Sequence, residues 1–179
     1  MNRTTWILTI IGIIAITSFA LVATIISVVV VFIPLVIISY FFCLRFFSSQ
    51  PPDPEKLLPL YLLALGIQFI HFTEEYLTGF VTKLPQLFGQ DPYSIDSWVV
   101  FNMVAYAVFI LGAIAIYQKR RAYLIIPVFF VIAGVFMNSI AHILLTVYVG
   151  GYFPGLLTAL IYSVLIPLFV RQFKSAIQD

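Results

Sequence analysis

The chain has 179 residues, 63% of them hydrophobic, 17% aromatic and 9% charged, with a formal net charge of +2. A soluble domain carries about 25% charged and about 45–50% apolar residues, so this composition excludes an ordinary water-soluble fold and fits one whose surface faces lipid. The small, dispersed positive charge leaves no basis for nucleic-acid binding, and the single cysteine, Cys43, excludes an intrachain disulfide or a zinc–thiolate cluster.

A helix of about 20 residues crosses the hydrocarbon layer of about 30 Å, and irregular backbone is avoided there because its polar groups would go unpaired. The first apolar stretch, residues 6–47, is unbroken. As one straight helix it would be about 63 Å long at 1.5 Å per residue, too long for the membrane. Two spans joined by a very tight turn are therefore expected, with Pro34 in the first turn of the second. A single long helix is the alternative. A cleaved signal peptide beginning at Arg3 fits less well, because the apolar run continues without a break. Four further runs of spanning length follow at about 57–78, 97–117, 122–149 and 153–170. The expected fold is all-α, a polytopic transmembrane helix bundle of six spans, or five if the first two are one. It divides into an N-terminal hairpin (or one long helix) at 1–50 and a four-helix transmembrane domain at 51–179.

Cations orient such a bundle, because cytoplasmic loops carry the excess of Lys and Arg. With six spans, Arg3, Arg45, Lys56, Lys119, Arg120, Arg121, Arg171 and Lys174 share one side, and Lys83 lies on the other. Both termini should then be cytoplasmic, in a multi-pass protein of a prokaryotic plasma membrane. The long external segment, about 79–96, contains Pro85, Gly89, Asp91, Pro92 and Asp96. Its Leu84, Leu87, Phe88 and Tyr93 would rest on the membrane surface or cover a site, with an ordinary interfacial loop as the plainer alternative.

Within the spans the acidic residues are Glu74 and Glu75, and both histidines of the chain, His71 and His142, are also there. An isolated ionised carboxylate is costly to bury, so such groups face the bundle interior, need partners and mark function. His71, Glu74 and Glu75 fall within about 100° of one helix face, and Asn138 and His142 are i, i+4 neighbours on another helix. Counting from the outer span ends at 1.5 Å per residue, Glu75 lies roughly 5 Å deep, Asn102 roughly 8 Å, His71 and His142 roughly 10–12 Å and Asn138 roughly 16 Å. Three helices thus put polar groups in the same outer half of the membrane.

The run His71-Phe72-Thr73-Glu74-Glu75 resembles the signature of the HXXEE-domain integral membrane proteins. That family's further histidine is matched by His142, and its YXPG motif by Tyr152-Phe153-Pro154-Gly155. The resemblance covers about 57–170, making the second domain an HXXEE-type one and leaving the first two spans outside. It implies a membrane-bound, metal-dependent enzyme, with proteolysis among the activities it would accommodate.

The residues themselves permit several chemistries. His71 and His142 with one glutamate supply the two-histidine, one-carboxylate set of a mononuclear divalent metal, zinc first and iron or manganese as alternatives. His71, Glu74, Glu75 and His142 are the candidate ligands. The other glutamate would be general base on a water, and Asn102 and Asn138 would orient ligands or stabilise an oxyanion. Too few acids are present for a carboxylate-bridged di-iron centre. The function expected is a hydrolase acting on a hydrophobic, membrane-embedded lipid or peptide. A metal-free acid–base enzyme of the isomerase or cyclase kind is one alternative, since two adjacent buried glutamates do not easily both ionise. A proton or cation transporter is the other, and the scarcity of inner-half polar groups (Gln68, Tyr106 and Tyr162) weighs against it. Plainer readings stand beside these: His142 as a packing histidine, the asparagines as interhelical glue, and Tyr152, Pro154 and Gly155 as a turn with Pro154 starting the last helix.

Overall fold

The computed structural model describes residues 3–22, 28–47 and 50–178. Among them the secondary structure is helical: α1 (Arg3–Val22), a π-helical turn (Val28–Phe32) running into α2 (Ile33–Phe46), α3 (Pro54–Thr78), α4 (Phe80–Leu87), α5 (Ile95–Tyr117), a 3-10 turn (Arg121–Tyr123), α6 (Ile125–Phe129), a π-helix (Phe130–Met137), α7 (Asn138–Val149) and α8 (Leu156–Gln178). Five helical segments are long and apolar enough to cross a membrane: α1, α3, α5, the continuous stretch Arg121–Val149, and α8. α2 is shorter, at 14 residues, and is extended by the π turn before it.

The first two helices fold back on each other. Thr9 Oγ1 lies 3.3 Å from the Tyr40 hydroxyl, and the rings of Phe19 and Phe32 stack at 4.0 Å. Increasing numbers on α1 thus meet decreasing numbers beyond it, as in an antiparallel pair rather than one long rod. The tight turn itself lies outside the described residues, while Pro34 occupies the first turn of α2 as expected.

Helix ends follow local chemistry. α3 opens with Asp53, whose side chain accepts from the Glu55 N–H at 3.1 Å, and with Pro54, whose missing N–H costs nothing there. It closes on Gly79 in the left-handed region, φ 80°, where a side chain would be strained. α5 is capped by Ser94 at the Ser97 N–H.

The core is held by side chains that let helices approach closely and by tyrosine hydroxyls that tie one helix to the backbone of another. Tyr61 donates to the Phe109 carbonyl at 2.8 Å, and a Cβ on Gly112 would come within 2.7 Å of that same hydroxyl. Tyr106 donates to the Gln68 carbonyl at 3.1 Å, while Tyr162 lies 3.0 Å from the Ala64 carbonyl and 2.7 Å from Gln68 Oε1. Small residues and interhelical hydrogen bonds are how helices associate where lipid competes for apolar contact. Outside this core, large apolar side chains such as Ile14, Phe41, Leu77, Val147 and Val164 are exposed all round the bundle. An apolar surface of that extent belongs in a bilayer, and the protein is an integral membrane protein.

Between α6 and α7 the chain widens into the π-helix before returning to α-helix at Asn138. A π segment holds one residue more per turn and rotates everything after it about the helix axis. The residues whose direction it sets are Asn138 and His142.

Candidate metal centre

α3 contributes His71 and Glu75, four residues apart and hence on one face. α7 contributes Asn138 and His142 by the same spacing. The turn from Tyr152 to Gly155 and the first turn of α8 close the third side. These elements gather His71, Glu75 and His142, whose ligand atoms all lie within 4.8 Å of one another. All three are buried, at 1%, 7% and 2% exposure. Glu75 Oε1 sits 3.5 Å from His71 Nε2 and 3.3 Å from His142 Nε2.

The outer nitrogens of both rings are already engaged. His142 Nδ1 lies 2.6 Å from the Pro154 carbonyl oxygen. A carbonyl only accepts, so Nδ1 bears the hydrogen and Nε2 is the atom that faces Glu75. His71 Nδ1 lies 2.6 Å from Thr158 Oγ1, and Asn138 Nδ2 lies 2.7 Å from His71 Nε2. The amide of Asn138 donates there, which makes Nε2 of His71 a lone-pair atom as well. Two imidazole nitrogens and one carboxylate oxygen therefore converge at a buried point.

Glu74, next along the chain, points about 100° away on the helix. Its carboxylate is directed to the start of α8: Oε1 accepts from the Leu157 N–H at 2.9 Å and the Tyr152 hydroxyl at 2.8 Å, and Oε2 from the Thr158 N–H at 3.0 Å and the Thr158 hydroxyl at 2.6 Å. This is an N-cap provided from another helix, with a negative charge at the positive end of the α8 dipole. The Tyr152 hydroxyl, in the turn between spans, is held above the ordinary phenol range by partial burial and by its bond to Glu74.

The YXPG turn does more than reverse the chain. Tyr152 binds Glu74, Pro154 offers its carbonyl to His142, and Gly155 lies against both imidazoles. Gly155 has φ 89°, and a Cβ there would meet the His142 ring and come within 2.8 Å of His71 Cε1. Phe153 is buried, with its ring 6.3 Å from that of His142. From the segment between α3 and α5, α4 lays Phe80 5.5 Å from the same ring, and the Tyr93 N–H bonds back to the Val81 carbonyl.

Of the residues singled out by sequence, His71, Glu75, His142 and Asn138 are brought together. Glu74 stands one hydroxyl away, joined to His71 through Thr158. Asn102 is on α5 and donates to the Trp98 carbonyl of its own helix at 2.8 Å. Thr158 carries no motif signal; its only trace in the sequence is a hydroxyl in the first turn of the helix that follows YXPG.

No curated protein and no solved structure matches the chain. The sequence profile of a family described as "Protein of unknown function with HXXEE motif" matches residues 62–170, more than half of the chain, and the protein belongs to that family.

Proposed function

We propose that the protein is an intramembrane enzyme in which His71, His142 and Glu75 hold one divalent metal, and that it hydrolyses a lipid or peptide reached from the membrane. One observation carries this reading: both imidazoles have Nδ1 bonded to the protein and Nε2 within 3.5 Å of the same carboxylate oxygen. When Nδ1 carries the hydrogen, both Nε2 atoms and Oε1 are lone-pair atoms, and an ion among them would relieve their repulsion once the Asn138 amide, which donates to His71 Nε2, turns aside. The donor set fits zinc best, with iron and manganese as alternatives. Such an ion would supply Lewis acidity for polarising a carbonyl or a water. The protein's own contribution is orientation. Pro154 fixes the His142 ring, Glu74 caps α8, Asn138 offers an amide beside His71, and Phe80 and Phe153 shield the His142 side. The positive-inside distribution supports a site opening on the non-cytoplasmic side, with both termini cytoplasmic.

A second reading follows from Asn138. Its amide already satisfies His71 Nε2, so the group is also coherent with a proton between Glu75 and His142, as in a metal-free acid–base enzyme. Elemental analysis of the detergent-purified protein separates the two. About one transition metal per chain, absent from His71→Ala, His142→Ala and Glu75→Gln, is the expected result. A metal-free protein that takes up none of zinc, iron or manganese on reconstitution rejects the metal reading in favour of the second.

A further inference from the structure

We infer that Thr158 is a positioning residue that fixes the tautomer of His71 and thereby aims its Nε2 at Glu75. Thr158 is buried at 3% exposure, and its Oγ1 touches three groups: His71 Nδ1 at 2.6 Å, Glu74 Oε2 at 2.6 Å and the Gly155 carbonyl at 3.2 Å. A hydroxyl has one proton. Both the ionised carboxylate and the carbonyl can only accept, so either of them takes that proton, and Oγ1 turns a lone pair to His71. The histidine must then donate from Nδ1, and Nε2 keeps its lone pair, which accepts from the Asn138 amide. The order of donors is His71 Nδ1–H to Thr158, then Thr158 O–H to Glu74, whose charge is anchored by two backbone N–H groups of α8 and by Tyr152.

A carboxylate behind a histidine raises the basicity of the far nitrogen and locks the ring, and losing such a partner typically lowers metal affinity about 10–100-fold. Here the carboxylate acts through a hydroxyl. The two histidines are held unequally: His142 is oriented by a backbone carbonyl that no side-chain change removes, and His71 by the side chains of Thr158 and Asn138, which can be changed. Thr158→Val removes the hydroxyl while keeping the shape and the backbone N–H that binds Glu74, so the α8 cap persists. That isolates orientation from capping.

The functional meaning of this inference rests on the metal reading above, whereas its test does not. The full-length protein, labelled with 15N-histidine in detergent micelles, shows two ring systems, because the chain has two histidines; a His71→Gln sample assigns them. Ring nitrogen shifts of the metal-free wild type should report Nδ1–H for both. In Thr158→Val the His71 pattern should move towards Nε2–H or an exchanging mixture, the Asn138 amide turning its oxygen to Nε2, with His142 unchanged, and Thr158→Ser should restore it. Should valine not be accommodated, Thr158→Ala serves in its place. In parallel, zinc affinity measured against a chromophoric chelator should fall about tenfold or more in Thr158→Val and recover in Thr158→Ser. A His71 ring unchanged in the valine variant, or a wild-type His71 in the Nε2–H form, overturns the inference. Failure of serine to rescue overturns it too, since that result marks packing rather than hydrogen bonding. A wild type that binds no metal while its His71 tautomer still depends on Thr158 rejects the metal reading alone.

Discussion

Glu74 and Glu75 are adjacent in sequence and differ in environment because a helix turns about 100° per residue. Glu75 faces the two imidazoles inside the bundle, and Glu74 faces the first turn of α8 and the Tyr152 hydroxyl. The capping interpretation has a measurable consequence. Tyr152→Phe removes one hydrogen bond and should cost about 0.5–1.5 kcal/mol. Glu74→Ala removes the cap from two backbone N–H groups as well, and should cost about 1–3 kcal/mol. Unfolding midpoints in one detergent should therefore fall in the order wild type, Tyr152→Phe, Glu74→Ala. An alanine variant as stable as the wild type would show that the carboxylate does not hold α8.

At this scale the sequence makes the chemistry of the group legible and leaves its wiring hidden. Ionisable residues inside apolar runs are conspicuous, so His71, Glu75 and His142 can be named without coordinates. The direction of Glu74 cannot, because it depends on which helix N-terminus lies beside it, a tertiary fact. Thr158 is invisible for a related reason: threonines bonding within their own helix are common in this bundle, as with Thr73 and Thr78. Nothing in the sequence distinguishes the one whose hydroxyl lies between a histidine and a glutamate.

Among elements, the turn into α8 controls the site more than its length suggests. Gly155 combines a backbone angle that L-residues rarely adopt with contact to both imidazoles. Gly155→Ala should therefore strain the turn and push the rings apart, lowering metal uptake about tenfold or more while leaving the helical circular dichroism intact. Gly66, inside α3, gives the contrast. A Cβ there meets nothing within 4 Å, so Gly66→Ala should leave metal binding unchanged and stabilise the helix by up to about 1 kcal/mol. Equal effects at the two positions would mean that the turn does not shape the site. The YXPG residues were readable as a turn from Pro154 and Gly155, but their contacts with Glu74 and His142 come from the neighbouring helices. The π-helix over Phe130–Met137 has no sequence signature, because a run apolar at every position carries no periodicity to be interrupted.

For the whole molecule, span positions were legible because the bilayer imposes one length on every crossing helix, and 54–78, 95–117, 121–149 and 156–176 lie close to the apolar runs. The antiparallel packing of α1 against α2 fits the expectation from an impossible rod length, although no turn residue announces it. Orientation relative to the two membrane faces rests on charge. Arg45, Lys56, Lys119 to Arg121, Arg171 and Lys174 flank the helix ends opposite the His71 group, and Lys83 lies in α4 on the same side as that group. The positive-inside rule then predicts that α4 and the segment after it face away from the cytoplasm. Gln90 and Gln118 are exposed, uncharged and on opposite sides, and Cys43 is buried. In intact bacterial cells a membrane-impermeant maleimide should label Gln90→Cys and spare Gln118→Cys, with both labelled once the cells are opened. The reverse pattern would put the His71, Glu75 and His142 group in the cytoplasmic half of the membrane, and its substrate would then have to arrive from the inner leaflet.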